Sequence, residues 1–383
     1  ISTSTSSTFF FDPPPLLIPQ VRDSGAPFVF VTNQGWLSES DRAALLSEQL
    51  SMEIPKEQVV LAHSALAEAA PAIDPGLVLV TGRCRTDAAE IVRGYGFSNV
   101  RTVAEYARAH PHLHPLKHDP GTGGGMNGGG GENENEDDKN DKNDDDKNGD
   151  EPPSWASEPV RSIFIVETPE DWHEDLQILL DVLRSDGVPG RRASMTLPAE
   201  GGGEGRQKLK KRQPVQLFVC NFDFYFAAAN APPRFGPGAF LAALEALHAA
   251  ADAAAGITPH VPLEIVRHGK PHPPAYEIAV RKLERLIASK KQQEGSDSPV
   301  SVSLKHVYAL GDNPASDVRG ANAAGGPWRS VLVRTGVWKG TKRKEGGSSS
   351  VYERAENDER DPAHFVCEDA AEAIDMILRS NGC

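Results

Sequence analysis

The feature that most limits the fold is a repeated alternation of short apolar runs with stretches of helical character. Phe28 to Val31, Val59 to Leu61, Leu77 to Val80, Ile163 to Val166, Leu217 to Cys220, Glu264 to Arg267, Leu304 to Leu310 and Ser330 to Val333 read as strands. Helices are expected between them: Ser38 to about Met52, a stretch after Gly82 through Ile91, about Trp172 to Leu183, Phe240 to Ala255, and Tyr276 to Ala288. Strands separated in this way cannot close by tight hairpins, so the expected class is α/β, with a mostly parallel sheet covered on both faces. Ser38 with Asp41 predicts a capping box at the first helix.

The 383 residues suffice for two domains with their own cores, and 39% hydrophobic content with 7% aromatic is ordinary for such a fold. No apolar run approaches the roughly 20 residues that a membrane-spanning helix needs. Cys84, Cys220, Cys367 and Cys383 are scattered without a Cys-x-x-Cys pair, which points to a reducing compartment rather than a disulfide framework or a zinc site. The formal charge of −14 is concentrated: residues 132–151 hold eleven acids against three lysines, a net of −8. The remainder is only mildly acidic, and nothing in it suggests nucleic-acid binding. From 118 to 157 the chain is Gly, Asn, Asp and Lys without periodicity, so it is read as a disordered insert. Segments 199–213 and 339–350 are read as exposed loop inserts.

Three strand ends carry residues with chemistry. Thr32 and Asn33 follow the first strand, Lys270 follows the Glu264–Arg267 run, and Asp312 follows Leu304 to Leu310, with Asp317 five residues later. Asp312 is thereby placed at the carboxyl end of a parallel strand, where open α/β sheets bind ligands. Hydroxyl and amide donors, an ammonium and metal-ligating carboxylates are what phosphoryl transfer requires, because that chemistry rests on neutralising and positioning phosphate oxygens.

Val31-Thr32-Asn33-Gln34-Gly35, Gly269-Lys270-Pro271-His272-Pro273 and Gly311 to Asp317 resemble, in order, the second, third and fourth motifs of the haloacid dehalogenase (HAD) superfamily. Asn221-Phe222-Asp223 and Arg234 to Gly238 resemble the return of the cap to the core in its subfamily IIA. Val78 to Gly82, Gly94 to Phe97 and Val166 to Trp172 are most similar to the eukaryotic branch named after the cat eye syndrome critical region. The resemblance implies a Rossmann-like core formed by residues 1–63 and 235–383, with the large inserted α/β cap of that subfamily over 64–234. It also implies an Mg²⁺-dependent phosphoric monoester hydrolase acting on a small phosphorylated metabolite through an aspartyl-phosphate. Thr32 and Asn33 would bind the phosphoryl group, Lys270 would neutralise it, and Asp312 would bind Mg²⁺ with Asp317 in support. Asp223, with Gly35, would contact substrate.

One motif departs from the pattern. Where the superfamily carries Asp-x-Asp-Gly, this chain has Phe9-Phe10-Phe11-Asp12-Pro13-Pro14-Pro15. Asp12 is placed to be the nucleophile and a further metal ligand, but Pro14 stands where the second carboxylate belongs and cannot protonate a leaving group. Two readings remain open: an upstream piece carrying the motif is missing, or the protein is a non-catalytic binding or regulatory relative. The chain opens on Ile1 rather than Met, so the true amino terminus is expected upstream; the Ser/Thr-rich start suits the end of an organellar transit peptide, but such peptides also want arginines and none occurs before Arg22. An intracellular protein is expected, mitochondrial by the resemblance or else cytoplasmic; the same resemblance suggests a link to glycerophospholipid metabolism. Oligomeric state is not readable.

Two patterns imitate metal sites. Asp144-x-Asp146-x-Asn148-Gly149 opens like an EF-hand loop, but its twelfth position is Trp155 rather than Glu. His110, His112, His114 and His118 alternate with Pro111 and Pro115 beside the acidic insert, and they read as a solvated loop.

Overall fold

The computed structural model describes residues 21, 24–82, 85–114, 152–190, 213–228, 231–293, 302–338, 340–343, 352–354 and 356–380. Asp12, His118, the Asp144–Asn148 pattern and most of the three inserts lie outside the described residues.

The larger sheet is parallel and five-stranded. It consists of Leu77–Thr81 (β3), Val100–Thr102 (β4), Val160–Ile165 (β5), Gln216–Val219 (β6) and Ile265–Arg267 (β9), in the order β4-β3-β5-β6-β9. Alternate side chains feed two cores, as a period of two demands. Leu77, Leu79, Ile163, Ile165, Leu217 and Val219 join one cluster, in which Ile178 and Leu179 of helix Trp172–Leu183 (α5) also pack. Val78, Val80, Phe164, Val166, Phe218 and Cys220 join the other, with Leu66 of helix Ser64–Ala69 (α2) and Ala88 and Val92 of helix Arg85–Gly94 (α3). Burying each such Leu, Ile or Phe is worth about 1.5–3 kcal/mol, and that term holds the sheet between its helices.

The parallel sheet and the helices packed on it extend past the expected boundary at 234/235. Helix Pro237–Ala254 (α6) contributes Phe240, Leu241 and Leu244 to the first cluster, and β9 is a strand of this same sheet. The last strand of this sheet therefore ends at Arg267, three residues before Lys270. The apolar stripe of α6 explains its place: those three residues form one face, and this sheet is what covers it.

The remaining strands build the core. Phe30–Val31 (β1) pairs in parallel with Val59–Val60 (β2), and Val307–Gly311 (β10), Trp328–Val333 (β11) and Phe365–Cys367 (β14) form a parallel set. Helix Pro273–Gln293 (α7) spans both groups, since its Ala275, Tyr276, Ala279 and Leu283 cluster with Val29 beside β1 and with Val307 and Trp328. Helix Glu39–Leu50 (α1) covers β1 and β2 through Ala43 and Leu46. Ser38 caps α1 by accepting from the Asp41 N–H at 3.1 Å, but the Asp41 carboxylate takes the Ser38 hydroxyl instead of its backbone N–H. The expected box is therefore a simple cap. The reciprocal capping box occurs elsewhere, between Thr102 and Glu105 at the start of helix Val103–Ala109 (α4).

Two small antiparallel pairs were not anticipated. Tyr225–Ala228 (β7) pairs with Ala231–Phe235 (β8), and Thr341–Arg343 (β12) pairs with Tyr352–Arg354 (β13), so the 339–350 segment begins inside a strand pair. Among the described residues no helix is long and apolar enough to cross a membrane.

Candidate active site

Three loops meet at the carboxyl ends of β1, β9 and β10. Asn33 is their joint. Its side-chain N–H₂ donates to the Lys270 carbonyl at 2.9 Å and to Asp223 Oδ2 at 3.1 Å, while its Oδ1 accepts the Lys270 N–H at 2.7 Å. Asn221 donates to the Asn33 carbonyl at 2.8 Å and, through Oδ1, accepts the Asp223 N–H. The second motif, the third motif and the loop after β6 are thereby fixed to one another. Gly269 permits this: its φ is +69°, and a Cβ there would collide with the Cys220 carbonyl.

Lys270 is 2% exposed and reaches Asp317 Oδ1 with its ammonium at 2.6 Å. Its Nζ also donates to the Val31 carbonyl at 3.3 Å, at the end of β1. Asp317, likewise 2% exposed, accepts the Asn313 N–H on Oδ2 at 3.0 Å. The turn that carries it is a π-helical stretch, Pro314–Val318, leading into Arg319–Ala324 (α8). Asn313 caps it by accepting from the Ala315 N–H, and Tyr276 of α7 donates to the Ser316 and Asp317 carbonyls. A Cβ at Gly311 would strike the Asp317 carboxyl, so glycine is required at the end of β10.

Asp312 is buried, and its Oδ2 accepts the Val337 N–H at 2.6 Å. Gly336 lies against that same oxygen with φ +74°. A carboxylate oxygen held from one side by a backbone donor suits a hard cation, which takes oxygen ligands. Asp317 fits a direct ligand less well, because Lys270 and the Asn313 N–H occupy its two oxygens.

Asp223 lies beside this network, with Oδ1 3.5 Å from the Asn313 side-chain nitrogen. Burial pushes its carboxyl up to about 6, with the Lys270 ammonium and Asn33 pulling the other way. Gly35 donates its N–H to Glu167 Oε2 at 3.0 Å, and burial pushes Glu167 up to about 7 against the Thr168 and Gly35 donors. Thr32, Asn33, Glu167, Asn221, Asp223 and Tyr225 line one cleft.

The structure thus brings Thr32, Asn33, Lys270, Asp312, Asp317 and Asp223 together and places Gly35, buried, against Val166 and Glu167. Asn313, Glu167 and Tyr276 belong to the same assembly but were not singled out from sequence. Asn313 could have been found, since it sits between the two candidate carboxylates. Glu167 had no such signal, because its role depends on the cap folding back over Gly35. Among the described residues the histidines of this loop form no metal cluster: His110 contacts the Tyr106 and Ala156 carbonyls, and the buried His114 pairs with His173 at 3.0 Å.

Comparison with known proteins bears on the family and the fold. Residues 15–98 match a haloacid dehalogenase-like hydrolase family, and residues 267–373 match a HAD-hydrolase-like family. The first match runs through β3 of the inserted sheet and the second begins at the end of β9, and the fold is like that of solved HAD-superfamily structures. A mitochondrial hydrolase of Saccharomyces cerevisiae is 24% identical over 322 residues, 82% of this chain and 78% of that protein. A fusion of cardiolipin synthase (CMP-forming) with a mitochondrial hydrolase from Schizosaccharomyces pombe is 26% identical over 321 residues, 84% of this chain and 44% of the fusion. A possible sugar phosphatase of the HAD superfamily from Cytophaga hutchinsonii shares the fold, with a TM-score of 0.52 at 13% identity over 94% of this chain and 88% of that one.

Proposed function

We propose that this protein is an Mg²⁺-dependent phosphatase of the HAD subfamily IIA type, acting on a small phosphorylated metabolite. The observation that carries the reading is the buried Lys270–Asp317 pair beside Asp312 and Thr32, at the carboxyl ends of three strands. In this reading Thr32 and the Asn33 backbone hold the phosphoryl oxygens. Lys270 neutralises the phosphate and the nucleophile together, and Asp317 fixes the direction of its ammonium. Asp312 holds the metal, which would supply charge neutralisation at the phosphate oxygens. Asp12 would attack phosphorus as the ester P–O bond breaks and the alcohol leaves, protonated by solvent, giving an aspartyl-phosphate that water then hydrolyses to phosphate and free Asp12. Asp223 and Gly35 face the leaving group under the cap, and Tyr225 supplies an aromatic wall.

Acid-quenched protein exposed to an aryl phosphate should carry one phosphoryl group on the peptide containing Asp12, labile to hydroxylamine and absent from Asp12→Asn. No adduct on that peptide, with phosphate still released, would exclude the role of Asp12.

A second reading, a phosphate-binding relative without turnover, is favoured by Pro14 at the position of the second carboxylate. It predicts that Mg²⁺ and phosphate raise the melting temperature while no phosphate is released. The names of the two yeast relatives support a mitochondrial location. The synthase part of the fusion supports a link to glycerophospholipid metabolism, in keeping with the resemblance to the cat eye syndrome branch.

A further inference from the structure

The cap carries a second cluster of ligand-type side chains outside the phosphoryl site. His248 and Asp252 lie four residues apart on α6 and so share one face, and His260 returns to them from the loop that follows. His260 Nδ1 is 2.9 Å from Asp252 Oδ2, and His248 Nδ1 is 3.9 Å from the same oxygen. The three residues offer ligand atoms that all fall within 4.8 Å of one another.

His248 is the informative member. It is 8% exposed, and its Nδ1 points at the shared Asp252 oxygen without a hydrogen-bond partner. A buried ring nitrogen left without a bond is unfavourable unless something else uses its lone pair. The two histidine rings meet edge to face at 5.4 Å.

We propose that His248, Asp252 and His260 bind a transition-metal ion of the Zn²⁺ class on the cap. Two imidazole nitrogens and one carboxylate oxygen are a zinc-type donor set, unlike the all-oxygen surroundings that Mg²⁺ prefers. Tetrahedral zinc needs its ligand atoms about 3.4 Å apart, so the present 2.9 and 3.9 Å separations require only small side-chain shifts. Arg184 donates to the other carboxylate oxygen, Asp252 Oδ1, and this outer partner orients the ligand and leaves Oδ2 to face the histidines. The half-exposed His260 side gives the ion an entry path and leaves the fourth position to water.

The test is Zn²⁺ titration of the full chain, read by elemental analysis after desalting and by melting temperature, with Mg²⁺ in parallel. About one equivalent of zinc should be retained, with a rise in melting temperature that Mg²⁺ does not reproduce. His260→Gln and His248→Gln should each weaken zinc binding by at least the roughly 10–100-fold that loss of an outer partner costs. His173→Gln, which removes the partner of His114, should leave it unchanged. His260→Gln keeps the buried packing intact, and its metal-free melting temperature reports whether it folds. No retained zinc in the parent chain, or undiminished binding in the His248→Gln/His260→Gln double variant, would overturn the proposal.

Discussion

Lys270 Nζ and Asp317 Oδ1 meet at 2.6 Å across 47 residues of sequence, and both side chains are almost wholly buried. Taking two charges out of water costs several kcal/mol per ion, and their attraction repays it only when other bonds complete the geometry. Here the Asn313 N–H and the Val31 carbonyl complete it. Such a pair is a weak stabilising device. It makes sense as a way to keep an ammonium aimed at one point.

That argument separates stability from activity. Lys270→Met alone leaves Asp317 buried and uncompensated, and should destabilise the fold by about 3–5 kcal/mol. Adding Asp317→Asn should recover much of that loss in a urea unfolding curve. Phosphatase activity should stay lower by roughly 10²–10³ in both variants, the usual cost of removing a transition-state donor.

Gly336 makes a similar point about the metal. At φ +74°, an alanine would be strained, and its Cβ would press on the Asp312 oxygen that Val337 holds. Gly336→Ala should therefore weaken Mg²⁺ binding in calorimetry by roughly tenfold or more. Gly190→Ala is the comparison, since Gly190 also has positive φ but meets no atom within 4 Å; it should leave Mg²⁺ affinity unchanged.

Glu167 sets a pH dependence of stability. Its folded value of about 7 lies above its ordinary 4.5, so the folded state holds the proton more tightly than the unfolded state does. Its contribution is fully present below about pH 4.5, declines as pH rises toward 7, and is level above that, a span of roughly 3 kcal/mol. Glu167→Gln should remove that slope between pH 5 and 7 in denaturant midpoints, whatever it does to the absolute stability through the Gly35 and Thr168 donors.

Much of this architecture was legible because its signals are local. The helix Trp172–Leu183 was expected over those residues, and β10 with Asp312 at its end follows from a short apolar run before Gly-Asp-Asn-Pro. Thr32, Lys270 and Asp312 were identified by their order along the chain. What sequence could not give was the side on which a helix packs. The alanine-rich α6 reads as an amphipathic surface helix, but only the fold shows that Phe240 and Leu244 pack on the five-stranded sheet. Glu167 escaped for the same reason: its meaning lies in a bond to Gly35, 132 residues away.

The central claim is that the strand-end pocket performs metal-assisted phosphoryl transfer. Its most direct test is the initial rate of phosphate release from p-nitrophenyl phosphate by the full chain, in Mg²⁺ and in excess EDTA, beside Asp312→Asn. The account predicts release in Mg²⁺ that falls to background in EDTA and in Asp312→Asn. Release that is absent in Mg²⁺, or that persists unchanged in EDTA and in the variant, would contradict it.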